Sequence, residues 1–259
     1  KILVEDKPGA GGALAPTIML NTGKPDGYLL SQMPQPILRI PHIQKTEFDV
    51  LNDFTWIIRI VDYTYALIVR NESPLRNITD FVNLAKANPN KVTYGSSGVG
   101  VTMHMAMEDL AYRTGLKLVH APHRVTSDML NALIGGHIDA VAAAVSWAPL
   151  VDAGKIRLLG ILGANRIKRW PDIPTAREQG YDVNASSSYG IGGPKGMDPK
   201  VVKVLHDAFR KALDDPEFVK TMERYDQVRS YLGTEDYTRW VREQYAAEKL
   251  VVEKFGLKQ

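Results

Sequence analysis

The 259-residue sequence contains no cysteine. This absence excludes disulfides, thiolate metal sites, iron–sulfur clusters and cysteine nucleophiles, and it fits cytoplasm and periplasm equally. There is also no run of five or six like charges, and the net charge is only +3, so nothing asks for a nucleic-acid partner. The longest apolar stretch, Ala140–Val145, has the length of one strand, far below the roughly eighteen residues of a membrane span. We expect a soluble protein.

What remains is an ordinary globular composition, with 44% apolar and 24% charged residues. At about 150 residues per domain, the length predicts one large domain or two modest lobes. The sequence opens on Lys1–Glu5, which reads as a strand already under way. No basic, apolar leader precedes this strand, and we expect that a segment upstream of Lys1 is missing.

Short β-rich runs alternate with helical patterns through the middle of the chain, which is typical of an α/β fold with a largely parallel sheet. Thr55–Val61 and Tyr65–Arg70 predict two strands separated by a short break. Lys91–Tyr94 predicts a further strand that leads through a glycine loop into a helix. After Gly190–Pro194 the alternation gives way to helices, and Thr234 is the expected N-cap of the last one.

The chain crosses twice between its β-rich middle and the flanking segments, which predicts two lobes. One lobe would comprise residues 1–68 and 190–259, and the other residues 69–189. Segments near Ala66–Arg70 and Ser187–Ile191 would form a two-stranded hinge. Such hinges let two lobes close around a ligand.

The sharpest motif is the glycine loop after Tyr94, with the sequence G-S-S-G-V-G over residues 95–100. Its glycines stand in the wrong order for a dinucleotide fingerprint, and valine follows where a P-loop needs lysine. The serine hydrolase elbow, G-x-S-x-G, fits Gly95 and Ser97 but fails at Val99, where close packing requires glycine. Hydrolysis by Ser97 stays the enzymatic alternative. Otherwise no catalytic residue, cofactor or metal is expected.

This loop offers backbone N–H groups and two hydroxyls at a helix start, where the carboxyl edge of a sheet opens. These features predict an anion site formed by Ser96, Ser97 and Gly98. A carboxylate there would gain from the helix terminus and from charge-assisted hydrogen bonds. The alternative is that Ser96 and Ser97 only cap the helix.

A second loop of the same kind, residues 123–127, again stands between a strand and a helix. Thr126 or Ser127 is the expected N-cap. Arg124 either pairs with a carboxylate or remains solvated surface. Tyr189 is a candidate for lining a pocket, with core packing as its alternative. The histidines near this loop have no metal-ligand spacing, so no metal site is expected.

Seven motifs stand in a fixed order along almost the whole chain. They are Val4–Gly12, Pro25–Tyr28, Tyr94–Gly100 with His104, Gly135–Asp139, Ala153–Arg157, Arg169–Thr175 and Leu213–Pro216. Each motif alone is weak, but the order is specific. Together they resemble the substrate-binding proteins of tripartite tricarboxylate transporters, the Bug or TctC-type receptors.

The resemblance implies a two-lobed, type II periplasmic binding-protein fold that closes on a small organic carboxylate, aromatic acids included, and delivers it to a membrane permease. It also implies a periplasmic location, and we expect a monomer. Carried over by motif, the ligand contacts would be Ser96, Ser97, Gly98, Thr126 and Ser127. Gln32–Gln35 would occupy the place of a family loop that faces the cleft.

Two departures from the family stand out. The family's first strand and its proline/glycine loop would precede Lys1 and are absent, so we expect a missing N-terminal βα unit. Pro122–Val125 replaces the Pro-Tyr-Lys-Gly run common in the family, a change that would shift ligand preference. The same fold also serves sensing domains that signal through a protein partner, and sensing stays an alternative to transport.

Overall fold

The computed structural model describes residues 2–144 and 147–258. The chain forms two compact units. The first comprises Lys1–Asp62, Ser187–Glu223 and Val228–Gln259, and the second comprises Tyr63–Ser186 with Arg224–Gln227. The lobe boundaries predicted at residues 68 and 190 lie a few residues from these unit boundaries, and the movement of two lobes stays a prediction.

The elements alternate along the chain as follows. The helices are α1 Leu14–Thr22, α2 Ile40–Ile43, α3 Ile78–Ala87, α4 Thr102–Thr114, α5 Thr126–Ile134, α6 Ala148–Asp152, α7 Pro199–Ala212, α8 Pro216–Arg224 and α9 Thr234–Lys254. The strands are β1 Ser31–Pro34, β2 Phe54–Arg70, β3 Thr93–Ser96, β4 Val119–Pro122, β5 Ala140–Ala144, β6 Ile156–Ile161, β7 Ser186–Pro194 and β8 Val228–Leu232. Short 3₁₀ helices span Ala10–Gly12 and Gln35–Leu38. No helix within the described residues is long and apolar enough to cross a membrane.

The first unit opens on an irregular segment, residues 2–9, so the predicted strand at its start is wrong. The side chains of Ile2, Leu3 and Val4 are 79–86% exposed. A strand needs a neighbour to satisfy its N–H and C=O groups, and no described strand pairs with this segment. The β-branched residues of this segment are therefore not enough to form a strand without a pairing partner.

β2 is one continuous strand of 17 residues, where the sequence predicted two strands and a break. Aspartate is a poor strand former, but the Asp62 carboxylate is occupied. Arg59 Nη2 donates to it at 2.8 Å and Ser188 Oγ donates at 2.6 Å. Because its charge is paired, Asp62 does not interrupt the extended backbone.

β1 and β7 pair antiparallel in the first unit, from Ser31 opposite Gly192 to Pro34 opposite Tyr189. β8 pairs antiparallel with the first half of β2. The predicted loop Gln32–Gln35 is therefore wrong: β7 supplies a pairing partner, so the first three residues of the predicted loop belong to β1, and Gln35 begins a 3₁₀ helix.

An edge-to-face aromatic cluster fills part of the first unit, with Trp56 against Tyr237 at 5.2 Å between ring centroids. Tyr237 lies on α9, whose N-cap is Gly233 and not the predicted Thr234. The Thr234 hydroxyl donates to the Ile57 carbonyl at 2.7 Å, so the helix begins one residue earlier than its capping chemistry suggested.

The second unit is built around a mixed sheet, not the largely parallel one predicted. β3 lies between β4 and β5 and is parallel to both, whereas β5 and β6 pair antiparallel with the second half of β2. Two clusters of buried apolar residues cover the sheet. Val145, the end of the apolar stretch from Ala140, lies outside the described residues.

Candidate functional site

Two loops lie side by side at the carboxyl ends of the parallel strands of the second unit. The first loop, residues 97–101, joins β3 to α4, and the second loop, residues 123–125, joins β4 to α5. Ser96 stands opposite Pro122 in the ladder, and the His123 N–H donates to the Ser96 carbonyl at 2.8 Å. The two loops predicted to share a ligand are therefore neighbours.

The first loop depends on glycine at two positions. Gly98 has φ 135° and Gly100 has φ 76°, values that only glycine adopts without strain. Ser97 is half-buried, and its Oγ lies 3.8 Å from Met103 Sδ. Within the described residues, the backbone N–H groups of Ser97 and Val99 have no hydrogen-bond partner. The loop thus presents unpaired donors.

Neither serine caps the helix that follows. The N-cap of α4 is Val101, and no side chain accepts a hydrogen bond there. The alternative that Ser96 and Ser97 serve only as caps is therefore wrong: the loop places both of them too early for α4. The N–H groups of the first turn remain without a side-chain cap, and a helix start of this kind favours an anion.

Ser96 itself is completely buried. Its Oγ donates to the Gly98 carbonyl at 2.8 Å and lies 2.7 Å from His120 Nε2. At the other end of the loop, the Gly100 N–H donates to His104 Nδ1 at 3.1 Å. We call Ser96, Gly100, His104 and His120 the imidazole network.

The two imidazoles belong to a stack of rings from three elements. His120 on β4 lies between Tyr94 on β3, at 4.9 Å, and His104 on α4, at 4.2 Å between centroids. The Tyr94 hydroxyl donates to Glu108. Burial, reinforced by the nearby His104, lowers the pKa of His120 to about 4, so its ring is neutral near pH 7. His104 is satisfied inside the fold, as a structural histidine would be, but the sequence did not reveal its bond to the loop.

The second loop leaves its polar side chains free of internal partners. Arg124 and Ser127 are exposed and Thr126 is half-buried, and none of the three side chains has a hydrogen-bond partner among the described residues. The expected capping by Thr126 or Ser127 is wrong. Val125 is the N-cap, because its extended backbone (φ −137°, ψ 155°) starts the helix at Thr126.

Three predicted residues lie in the first unit. Gln32 on β1 is exposed, and Tyr189 on β7 is half-buried. The Gln35 amide is used internally: its Nε2 donates to Glu248 at 3.1 Å, and its Oε1 accepts from the Ser188 N–H at 3.1 Å. The side-chain amide of Gln35 therefore forms hydrogen bonds with two residues of its own unit.

One polar group was missed by the sequence analysis. Thr102, the first residue of α4, is 5% exposed, and its hydroxyl has no hydrogen-bond partner among the described residues. Buried hydroxyls are nearly always bonded, so this group is a candidate to contact a bound molecule. The signal available in the sequence was a threonine in the first helical turn after a glycine loop.

The two loops carry groups that suit an anion. Residues 97–101 and 123–125 contain no acidic residue, and they bring together amide N–H groups, the Ser97 hydroxyl and a guanidinium. Ser97 Oγ faces a methionine sulfur, not an imidazole, which leaves a hydrolytic serine without its base. Within the described residues, no group of three histidine or carboxylate side chains could hold a metal.

The chain has the mixed α/β fold of periplasmic binding proteins, and the family and the solved structures that it matches are receptors and not enzymes. BugD, a periplasmic binding protein of known structure, aligns with a TM-score of 0.92 at 25% identity, covering 99% of this chain and 87% of that one. A model of the tripartite tricarboxylate transporter family receptors, TctC, matches residues 1–257. The chain belongs to this family.

The chain is also similar to a further protein sequence and to a further solved structure. The UPF0065 protein in the gbd 5′ region of Cupriavidus necator is 40% identical over 256 residues, which are 99% of this chain and 78% of that protein. The structure of Rpa4515 from R. palustris with adipate aligns with a TM-score of 0.92 at 23% identity, covering 98% of this chain and 86% of that one. A protein of the same fold has thus been solved with a dicarboxylate, adipate.

Proposed function

We propose that this protein is an extracytoplasmic receptor in the periplasm. It binds a small organic mono- or dicarboxylate, aromatic acids included, by closure of two lobes. It then delivers the acid to the permease of a tripartite tricarboxylate-type transporter. The observation that carries the proposal is the pair of adjacent loops that contain the unpaired N–H groups of Ser97 and Val99 and the unpaired guanidinium of Arg124, with no acidic residue in either loop.

The first carboxylate of the ligand would lie on the first loop. Its oxygens would accept from the N–H groups of Ser97 and Val99 and from the Ser97 hydroxyl, beside Gly98 and the start of α4. Each hydrogen bond to a charged acceptor contributes about 1.5–3 kcal/mol. Micromolar affinity requires about 8.2 kcal/mol, which several such bonds and burial of the ligand body together supply, less the cost of association.

The second loop would determine which acids bind. Arg124 carries a guanidinium that no described residue engages, and a planar guanidinium suits a carboxylate in bidentate pairing. The hydroxyls of Thr126 and Ser127 stand at the following helix start. This arrangement favours a ligand whose second acidic group reaches Arg124, as it would in a dicarboxylate such as adipate.

Calorimetric titration tests the proposal. The protein is titrated with succinate, malate, adipate, glutamate and benzoate, and then with the methyl ester of each acid that binds. We expect at least one acid to saturate at one equivalent and its ester to bind at least tenfold more weakly, since the ester lacks the charge that strengthens each hydrogen bond. Equal affinity for acid and ester would reject the carboxylate site.

Transport is distinguished from sensing by the partner. If the receptor delivers its ligand, the liganded form will bind the membrane subunits of the cognate permease more tightly than the free form does. A protein whose liganded form ignores the permease but binds a signalling protein would be a sensor instead.

A further inference from the structure

We propose that His104 and His120 are positioning residues that hold the first loop in its ligand-binding form through one specific ring nitrogen each. Nδ1 of His104 holds the C-terminal end of the loop, and Nε2 of His120 holds its N-terminal end. The inference rests on the proposed function, because it concerns the loop that would carry the carboxylate.

His104 controls the end of the loop that enters α4. The Gly100 N–H donates to its Nδ1 at 3.1 Å, and the ring is 4% exposed. A nitrogen that accepts a hydrogen bond carries no hydrogen, so the hydrogen of neutral His104 is on Nε2. That atom lies 3.8 Å from Glu108 Oε1. The side chain of Glu108 therefore favours the tautomer that the loop requires.

His120 controls the start of the loop through Ser96. Because the Ser96 hydroxyl donates its one hydrogen to the Gly98 carbonyl, its contact with Nε2 at 2.7 Å is satisfied when His120 donates. Gly98 is thereby tied back to Ser96 through its carbonyl, and more weakly through its N–H at 3.3 Å. One imidazole nitrogen thus fixes the serine that holds the turn.

The two rings cannot rotate independently. His120 is stacked on His104 at 4.2 Å and on Tyr94 at 4.9 Å between centroids, and Tyr94 is anchored to Glu108. The ionisable groups that face the pair are Tyr94, Glu108 and, near His120, His123. Residues from β3, β4 and α4 therefore hold both ends of one five-residue loop.

The consequence is a division of labour within the loop. The Gly98 carbonyl accepts from the Ser96 hydroxyl, and the Gly100 N–H donates to His104. These two bonds orient the peptide groups between Gly98 and Gly100. The N–H groups of Ser97 and Val99 have no hydrogen-bond partner among the described residues. A loop that is already ordered before the ligand arrives loses less conformational freedom on binding, so the network would raise affinity without touching the ligand.

Reciprocal amide substitutions test the assignment atom by atom. Asparagine places its Oδ1 where histidine has Nδ1, and glutamine places its amide where histidine has Nε2. We expect His104→Asn and His120→Gln to bind the best acid of the panel within about twofold of the wild type. His104→Gln and His120→Asn should each weaken binding about fivefold, the effect of one neutral hydrogen bond.

The reversal between the two positions separates positioning from packing, because a purely structural role predicts the same order of asparagine and glutamine at both sites. The same order at both sites, or four variants with wild-type affinity, would overturn the proposal. Thermal melting of each unliganded variant shows whether it folds. If a variant does not fold, amide hydrogen exchange of Gly100 in the wild type decides. Protection of the Gly100 N–H no greater than that of the N–H of Lys117, an exposed residue of the same unit, would also overturn the proposal.

The outcomes keep the two proposals apart. A wild-type protein that binds none of the acids overturns the proposed function, whereas the Gly100 exchange measurement still tests the loop's anchoring. A wild-type protein that binds an acid, with variants that do not reverse, overturns the positioning role alone.

Discussion

Two buried polar networks of the described residues, one in each unit, differ in which of the neighbouring polar groups they leave unpaired. In the first unit Arg39 makes a bidentate pair with Glu248, with Nε to Oε2 at 2.6 Å and Nη2 to Oε1 at 2.8 Å, and Gln35 completes the cluster. We call these three residues the ion-pair network. Both charges are about 5% exposed, and the three residues lie in the same unit.

The imidazole network of the second unit ends differently. Its hydrogen bonds stop at the backbone of the first loop and leave the neighbouring N–H groups of Ser97 and Val99 without partners. A buried ion pair stabilises the fold, whereas a network that borders unpaired donors keeps those donors in position to bind a ligand. The predictions below separate these two roles.

The largest effect is expected in the ion-pair network. Glu248→Ala leaves the Arg39 guanidinium buried without its partner, which costs about 3–5 kcal/mol of unfolding free energy. The affinity of the folded fraction for its acid should not change. Urea unfolding and calorimetry measure the two quantities. Glu253→Ala, an exposed position on the same helix, is the control and should unfold like the wild type.

A variant that loses affinity as strongly as stability would break the comparison. It would mean that the ion-pair network serves ligand binding directly, and that Gln35 belongs to the site as the sequence predicted.

The second effect concerns the unpaired guanidinium of the second loop. Arg124→Gln should weaken dicarboxylate binding about tenfold or more, since a hydrogen bond between charged groups contributes about 1.5–3 kcal/mol. Unfolding should be unaffected because no described residue pairs with Arg124. Lys117→Gln is the matched control, with an exposed positive charge in the same unit. Equal losses in both variants would show that net charge, not position, draws the ligand.

A smaller effect is expected at Ser97. Ser97→Ala removes one hydroxyl donor but keeps the backbone N–H, so affinity should fall about tenfold, the lower end for a hydrogen bond to a charged acceptor, while the melting temperature stays the same. Ser127→Ala, the exposed serine of the next helix start, offers a comparison at the second loop. If Ser97→Ala binds like the wild type, the loop acts through its backbone alone.

The smallest effect is a dependence of stability on acid. The folded state lowers the pKa of His120 to about 4, below its ordinary value of about 6.5. The unfolded chain therefore binds the extra proton first, and stability falls as pH falls from about 6.5 to 4. Because His120 is only half-buried, solvent reduces the effect. His120→Gln should flatten the unfolding free energy over this range, and an unchanged pH slope would contradict the assignment.

The sequence predicted the parts of this molecule that depend on local pattern. Alternating runs and helical spacing indicated an α/β fold, and the glycines at 98 and 100 marked a loop, in which both residues have positive φ. Motif order identified the family. These signals are written in neighbouring residues and survive without knowledge of tertiary contacts.

What the sequence could not provide depends on residues far apart in the chain. Gln35 looked like a ligand contact, but a glutamate 213 positions away uses its amide. β2 continues through Asp62 because Ser188, 126 positions away, pairs with its carboxylate. His120 and Ser96 meet only because β3 and β4 are adjacent in register. Tertiary partners decide such cases, and pattern alone does not show them.

The central claim is that the unpaired N–H groups of Ser97 and Val99 in the first loop bind a carboxylate. Titration of ¹⁵N-labelled protein with the best-binding acid, followed by its methyl ester, tests this most directly. The account predicts that the Ser97 and Val99 amide protons move downfield with the acid, saturate at one equivalent and move far less with the ester. Amide shifts that spare Ser97 and Val99 while the acid binds elsewhere would contradict it.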